Sequence, residues 1–104
     1  MFVVIFRATV SEMDDDYVQT AAALREMALR DFGCLEFCAM AEGGQEIALS
    51  YWPDLASITA WKAQADHLAA QNLVLKRGHK RWYSSYHVQV ARIEREYSSP
   101  KAAQ

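Results

Sequence analysis

Residues 34–52 read CLEFCAMAEGGQEIALSYW, two mainly apolar runs around the pair Gly43-Gly44. Adjacent glycines between extended segments mark a tight hairpin, because both central positions of such a turn take positive φ. The runs from Cys34 to Ala41 and from Gln45 to Trp52 are therefore expected to pair as strands. Upstream, Ser11 with Asp14 three residues later resembles a capping box with Asp in place of Glu. Met13, Tyr17, Ala21, Leu24 and Ala28 then recur at helical spacing, giving a helix to about Asp31. Downstream, Pro53 stops the hairpin and Asp54 offers an N-cap. Leu55, Ile58, Trp61, Ala65, Leu68, Asn72 and Leu75 follow at spacings of three and four, a long helix that could break near Asp66.

Two outer strands complete the series. Phe2 to Val10 is rich in β-branched and aromatic residues, and Tyr83 to Tyr97 is rich in Tyr, Val and Ile, neither containing Gly or Pro. The order strand, helix, strand, strand, helix, strand is the split arrangement of ferredoxin-like α+β domains, an antiparallel sheet with both helices on one face. With 104 residues, 52% hydrophobic and 23% charged, the chain suits one domain over residues 1–97 and a disordered tail over 98–104.

A net charge of -2 supplies no positive field for nucleic acid or anionic lipid. The apolar opening from Phe2 to Phe6 ends at Arg7, far short of the ~20 residues of a membrane span, and it lacks a basic leader. The expectation is a cytoplasmic protein that binds neither nucleic acid nor membrane. Cys34 and Cys38 on one strand would stand ~13 Å apart, beyond disulfide reach, and read as small buried hydrophobes. Asp14, Asp15 and Asp16 suit the positive pole of a helix N-terminus better than a metal site.

Strand parity points to a dimer. Phe2, Val4, Phe6, Ala8 and Val10 lie on one face of the first strand and Val3 and Ile5 on the other, so both faces of the sheet need cover. Helices on one side leave the second face to another subunit, hence a homodimer packed sheet to sheet. Arg92, Glu94 and Glu96 on one face of the last strand count against a wholly dry interface.

Tyr51-Trp52, Trp61, Trp82-Tyr83 and the ending Val90-Ala91-Arg92-Ile93-Glu94-Arg95 occur in an order that resembles the antibiotic biosynthesis monooxygenase family across nearly the whole chain. The resemblance implies a dimeric α/β barrel and admits enzymes that oxygenate aromatics without metal or flavin, as well as haem-degrading relatives. It implies a pocket-lining role for Trp61. The three positions that carry haem in those relatives hold Arg7, Trp61 and Gln71 here, and Gln is a poor axial ligand. Haem binding would need His67 or His79 as a substitute ligand.

Cofactor-free oxygenation needs a base, an apolar cavity and donors for a developing oxyanion. Trp61 and Tyr83 are the candidate substrate-binding residues and Arg7 and His67 the candidate catalytic ones, with no cofactor. Trp61 could equally be a core residue whose ring N–H meets a backbone carbonyl. Arg7 shares a strand face with Val3 and Ile5, the face assigned to the helices, and would point toward Trp61 unless it pairs with a Glu or snorkels to the edge. His67, six residues after Trp61, sits at the flank of the helical stripe. His79 lies among Lys76, Arg77, Lys80 and Arg81, a solvated basic helix end, and His87 shares a face with Gln89, Ala91 and Ile93 that could be a pocket wall or a dimer seam. These residues suit a monooxygenase for a small electron-rich aromatic or quinol-like compound. The alternative is a non-catalytic small-molecule-binding or stress-associated dimeric barrel.

Overall fold

The computed structural model describes residues 1–11, 14–77 and 83–100, the side chains of residues 67–77 excepted. The elements run β1 (Phe2–Val10), α1 (Asp15–Asp31), β2 (Glu36–Glu42), β3 (Gln45–Trp52), α2 (Leu55–Arg77) and β4 (Tyr83–Arg92), the expected βαββαβ order. All pairings are antiparallel and the strand order is β2-β3-β1-β4. Gly43 and Gly44, at φ 58° and 82°, form the two-residue turn between the paired Glu42 and Gln45. Both angles lie where a Cβ is strained, so the twist of this turn matches that of the strands only because glycines occupy it.

Several boundaries differ from expectation for local reasons. Helix α1 starts after Asp14 rather than Ser11, because the Asp14 carboxylate itself accepts the Tyr17 N–H at 2.9 Å and so acts as the N-cap. Asp54 caps α2 in the same way, accepting the Ser57 N–H at 2.8 Å. Helix α2 is continuous through Asp66, with no break there. Strand β2 begins at Glu36 and not at Cys34. Strand β4 ends at Arg92 instead of Tyr97, since its partner β1 begins at Phe2, opposite Arg92, and the Ile93 N–H makes a last bond to the Met1 carbonyl at 3.0 Å. Cys34 is buried as expected, but Cys38 is exposed because β2 is an edge strand and Cys38 points away from the helices.

The register also corrects the assignment of the two sheet faces. Phe2 pairs with Trp52 and Val4 with Ser50, and the core cluster joins Val4 and Trp52 to Ala28 of α1 and Ile58 of α2. The helices therefore cover the face of Phe2, Val4, Phe6 and Ala8. Arg7 stands with Val3 and Ile5 on the opposite, open face and does not point toward Trp61. The open face is nonetheless apolar over much of its area, including Ile5, Leu49 and the exposed Ile47 and Met40. Arg92 falls on the helix face opposite Phe2, and Glu94 and Glu96 lie beyond the sheet, so these three charges do not interrupt the open face. The readings of Met13, His79, Trp82 and residues 101–104 lie outside the described residues.

Candidate functional site

Between the helices and the sheet, the two ends differ in chemistry. Trp52 is fully buried, its ring N–H donating to the Ser50 hydroxyl at 2.8 Å. Trp61 packs against it with ring centroids 5.4 Å apart and meets Phe37 edge-on at 6.1 Å. Its own ring N–H donates to the Leu24 carbonyl of α1 at 3.2 Å. Both indoles have thus satisfied their only donor within the protein, and Trp61 bolts α2 to α1 as well as to the sheet.

Toward the other end of β1, the helix face gathers phenols and one carboxylate. Phe6 meets Tyr83 edge-on at 5.3 Å and stacks on Tyr86 at 6.0 Å, and Tyr17 of α1 meets Tyr83 at 5.8 Å. Opposite Ala8 in the register, the half-buried Glu46 projects into this group, where the buried Tyr17 donates its hydroxyl to Glu46 Oε1. Burial pushes the Glu46 carboxyl above the ordinary carboxylate range. The Tyr17 hydroxyl works in the opposite sense, since it favours the ionised form, and desolvation is the larger influence. Burial, and then the negative charge of Glu46, push the Tyr83 phenol upward too, so it remains a proton donor. Along β4 the floor continues into Tyr86, 65% exposed, and Val90, 49% exposed, both on the helix face yet uncovered.

The residues picked from sequence are distributed among these places. Tyr83 stands in the carboxylate cluster, while Trp61 belongs to the tryptophan end, and the two are not in ring contact. Arg7 is on the far face of the sheet, and the side chain of His67 lies outside the described residues. Glu46 and Tyr17 were missed as site residues. Glu46 had a signal in the sequence: it shares strand parity with Ala48, Ser50 and Trp52, so an inward Trp52 makes Glu46 inward as well. Among the described residues no three His, Cys, Asp or Glu side chains gather around a common point. Of the positions that the resemblance links to haem, Arg7 is on the wrong face, Trp61 is engaged with Leu24, and the side chain of Gln71 lies outside the described residues, so the described side chains do not fit that group.

No family model matches the chain. Uncharacterized protein YqjZ of Bacillus subtilis (strain 168) is 33% identical over 96 residues, which span 91% of this chain and 81% of YqjZ. Among solved structures, a protein of Nitrosomonas europaea described as a candidate antibiotic biosynthesis monooxygenase superposes with a TM-score of 0.66 at 16% identity, covering 91% of this chain and all, 100%, of its own. A variant of MhuD with two manganese protoporphyrin IX molecules bound per active site superposes at 0.64 with 14% identity, covering 95% of this chain and 100% of the other. At such identities the superpositions speak for architecture, and the one-third identity with YqjZ speaks for descent. The chain belongs to one family with YqjZ, and its fold is that of the antibiotic biosynthesis monooxygenases.

Proposed function

We propose that this protein is a cofactor-independent monooxygenase acting on a small electron-rich aromatic or quinol-like compound, with the reaction centred on Glu46, Tyr17 and Tyr83. The observation that carries the reading is the half-buried Glu46 carboxyl, raised by desolvation and set beside the Tyr83 phenol, from which an aromatic floor continues through Phe6 and Tyr86. A carboxylate with a raised pKa is a stronger base than an ordinary one, which suits it to take the proton of a phenol or enol. Tyr17 fixes its orientation through the hydroxyl bond to Oε1. Tyr83, held protonated, can donate to the oxyanion that develops.

The substrate supplies the electrons. Loss of the phenolic proton to Glu46 raises electron density at an activated ring CH₂, which reduces dioxygen to a carbon-bound peroxide. Water then leaves with one oxygen atom, and the other remains as a carbonyl. The two hydrogens of the CH₂ group depart in that water, so atoms and electrons balance with dioxygen as the only oxidant. The flat, uncovered aromatic floor favours a planar substrate.

The working unit in this proposal is a homodimer joined through the open sheet face, for which the exposed Ile47 and Met40 beside Ile5 and Leu49 are the support. Sedimentation at micromolar concentration should give a dimer of the 11.8 kDa chain, whereas a compact monomer removes this part of the proposal. Oxygen uptake on chelator-treated protein, with a panel of phenols, enols and hydroquinones, tests the chemistry. Uptake is expected with at least one planar phenol. Uptake that vanishes on chelation and returns with iron or haem defeats the cofactor-independent reading, and saturable ligand binding without uptake turns the protein into a binder.

A further inference from the structure

The open face of the sheet changes character along β1. Val3 and Ile5, beside Leu49 and Tyr51 of β3, are largely apolar, but from Arg7 onward the β1–β4 half of the face is polar, with Ile47 of β3 on the other side of Arg7. A shallow groove of about 320 Å³ lies there, and Arg7, Thr9, Gln45, Ser85 and His87 are among the residues that line it. Among the described residues no carboxylate lines it. The acidic residues that share this face, Glu36 and Glu42, stand on β2, two strands away from β1. Among the described residues Arg7 makes no ion pair.

Arg7 and His87 are direct cross-strand partners, which places their Cβ atoms about 5 Å apart. A guanidinium presents a planar fork of donors that fits an oxyanion in bidentate fashion, and an imidazole N–H beside it can donate to the same oxyanion. The rim is already ordered. Thr9 Oγ1 donates to Gln45 Oε1 at 3.3 Å and Gln45 Nε2 donates to Thr9 Oγ1 at 3.1 Å, and Ser85 sits opposite Thr9 in the register. The Ser85 hydroxyl is thus a third donor at the edge of the same groove.

We propose that this groove is a binding site for a small oxyanion, a carboxylate or a phosphate group, held between the Arg7 guanidinium and the His87 imidazole with the Ser85 hydroxyl at its edge. The site is separate from the proposed oxygenase centre, because Glu46 and Tyr83 occupy the other face of the sheet. It adjoins the apolar stretch through which a second copy would pair, because Ile47 is the partner of Arg7 on β3.

The test is titration of isotope-labelled full-length protein with inorganic phosphate and, separately, with acetate, at ionic strength held constant with sodium chloride. Saturable movement of the amide signals of residues 7, 9, 45, 85 and 87 is the expected result. Arg7→Leu should weaken the binding by at least about tenfold, the scale of a lost charge-assisted hydrogen-bond pair, and His87→Gln by a smaller factor. Saturation with phosphate alone assigns the site to phosphate groups, with acetate alone to carboxylates, and with both to oxyanions in general. The proposal is overturned if neither anion gives saturable shifts at these residues, or if a folded Arg7→Leu variant binds as tightly as the unmodified protein. Should Arg7→Leu fail to fold, Arg7→Lys keeps the charge without the fork, and unchanged affinity in that variant overturns the bidentate clamp.

Discussion

At one end of the space between helices and sheet, Trp52, Trp61 and Phe37 close on one another. At the other, Tyr17 and Tyr83 stand beside Glu46, with Tyr86 against Tyr83. Both ends are aromatic, and both are built on the same face of β1, one beside Phe2 and the other beside Phe6. The difference lies in what happens to the polar atoms. Each indole N–H finds an internal acceptor, so the tryptophan end is complete without a ligand. The tyrosine end holds a half-buried carboxyl with, among the described residues, no cation paired to it, an arrangement that costs stability and is characteristic of places where a protein does chemistry. Aromatic content alone therefore does not mark a site; the fate of the polar atoms among the rings does.

That contrast can be broken most directly at Trp52. Trp52→Ala should remove about 3–5 kcal/mol of stability through the cavity left by a fully buried indole. Chemical denaturation measures this, and a loss under about 1 kcal/mol would show that the tryptophan end is not the structural one.

The tyrosine end should respond in the opposite way. Glu46→Gln is expected to lower oxygen uptake by about 10²–10⁴-fold, the range of general-base contributions, while the fold persists. The variant also separates the two ends by pH. Because burial raises the folded Glu46 pKa, its contribution to stability is complete below the ordinary carboxylate value and is lost as the pH rises through the raised one. Melting temperatures of the unmodified protein should therefore fall relative to those of Glu46→Gln across that interval. A relative rise would mean that the carboxylate is stabilised by its surroundings.

A smaller effect sharpens the comparison at Trp61. Trp61→Phe keeps the ring contacts with Trp52 and Phe37 but loses the bond to Leu24, for an expected cost of about 1 kcal/mol. Affinity for planar phenols should not change. If binding collapses while stability holds, Trp61 is a pocket wall, and the division between the two ends fails.

The scaffold was largely legible in the residues. Gly43-Gly44 announced the hairpin, Asp54 announced the start of α2, and the alternation of β1 announced a sheet with two apolar faces. Which face the helices cover was harder to read, because β1 carries apolar residues at both parities and the misassigned face contained Val3 and Ile5. The register opposite Trp52 decides it, and that pairing joins residues fifty positions apart in the chain, Phe2 and Trp52. The site suffered from the same blindness. Glu46 next to a hairpin turn reads as a solvated strand end until its partner Ala8 is known to face the helices. Tyr83 was picked along with the aromatic order that carries the family resemblance, whereas Tyr17 looked like one more apolar residue of a helical stripe. Its hydroxyl acquires meaning only through Glu46, 29 residues away.

The central position of β1 has a consequence for how the molecule is made. It is the first of the four strands to be synthesised, yet its two neighbours are β3 and β4. The β2–β3 hairpin can close locally as soon as residue 52 has emerged, but β1 keeps one edge bare until residues 83–92 arrive. Pairings this distant in sequence are slow to form because of loop-closure entropy. The nascent chain therefore carries an incomplete sheet until β4 emerges, with FVVIF at an open edge. Truncation before β4 should yield a sticky three-stranded intermediate in place of a smaller stable domain, and chaperone dependence should be greatest for chains stalled between β3 and β4.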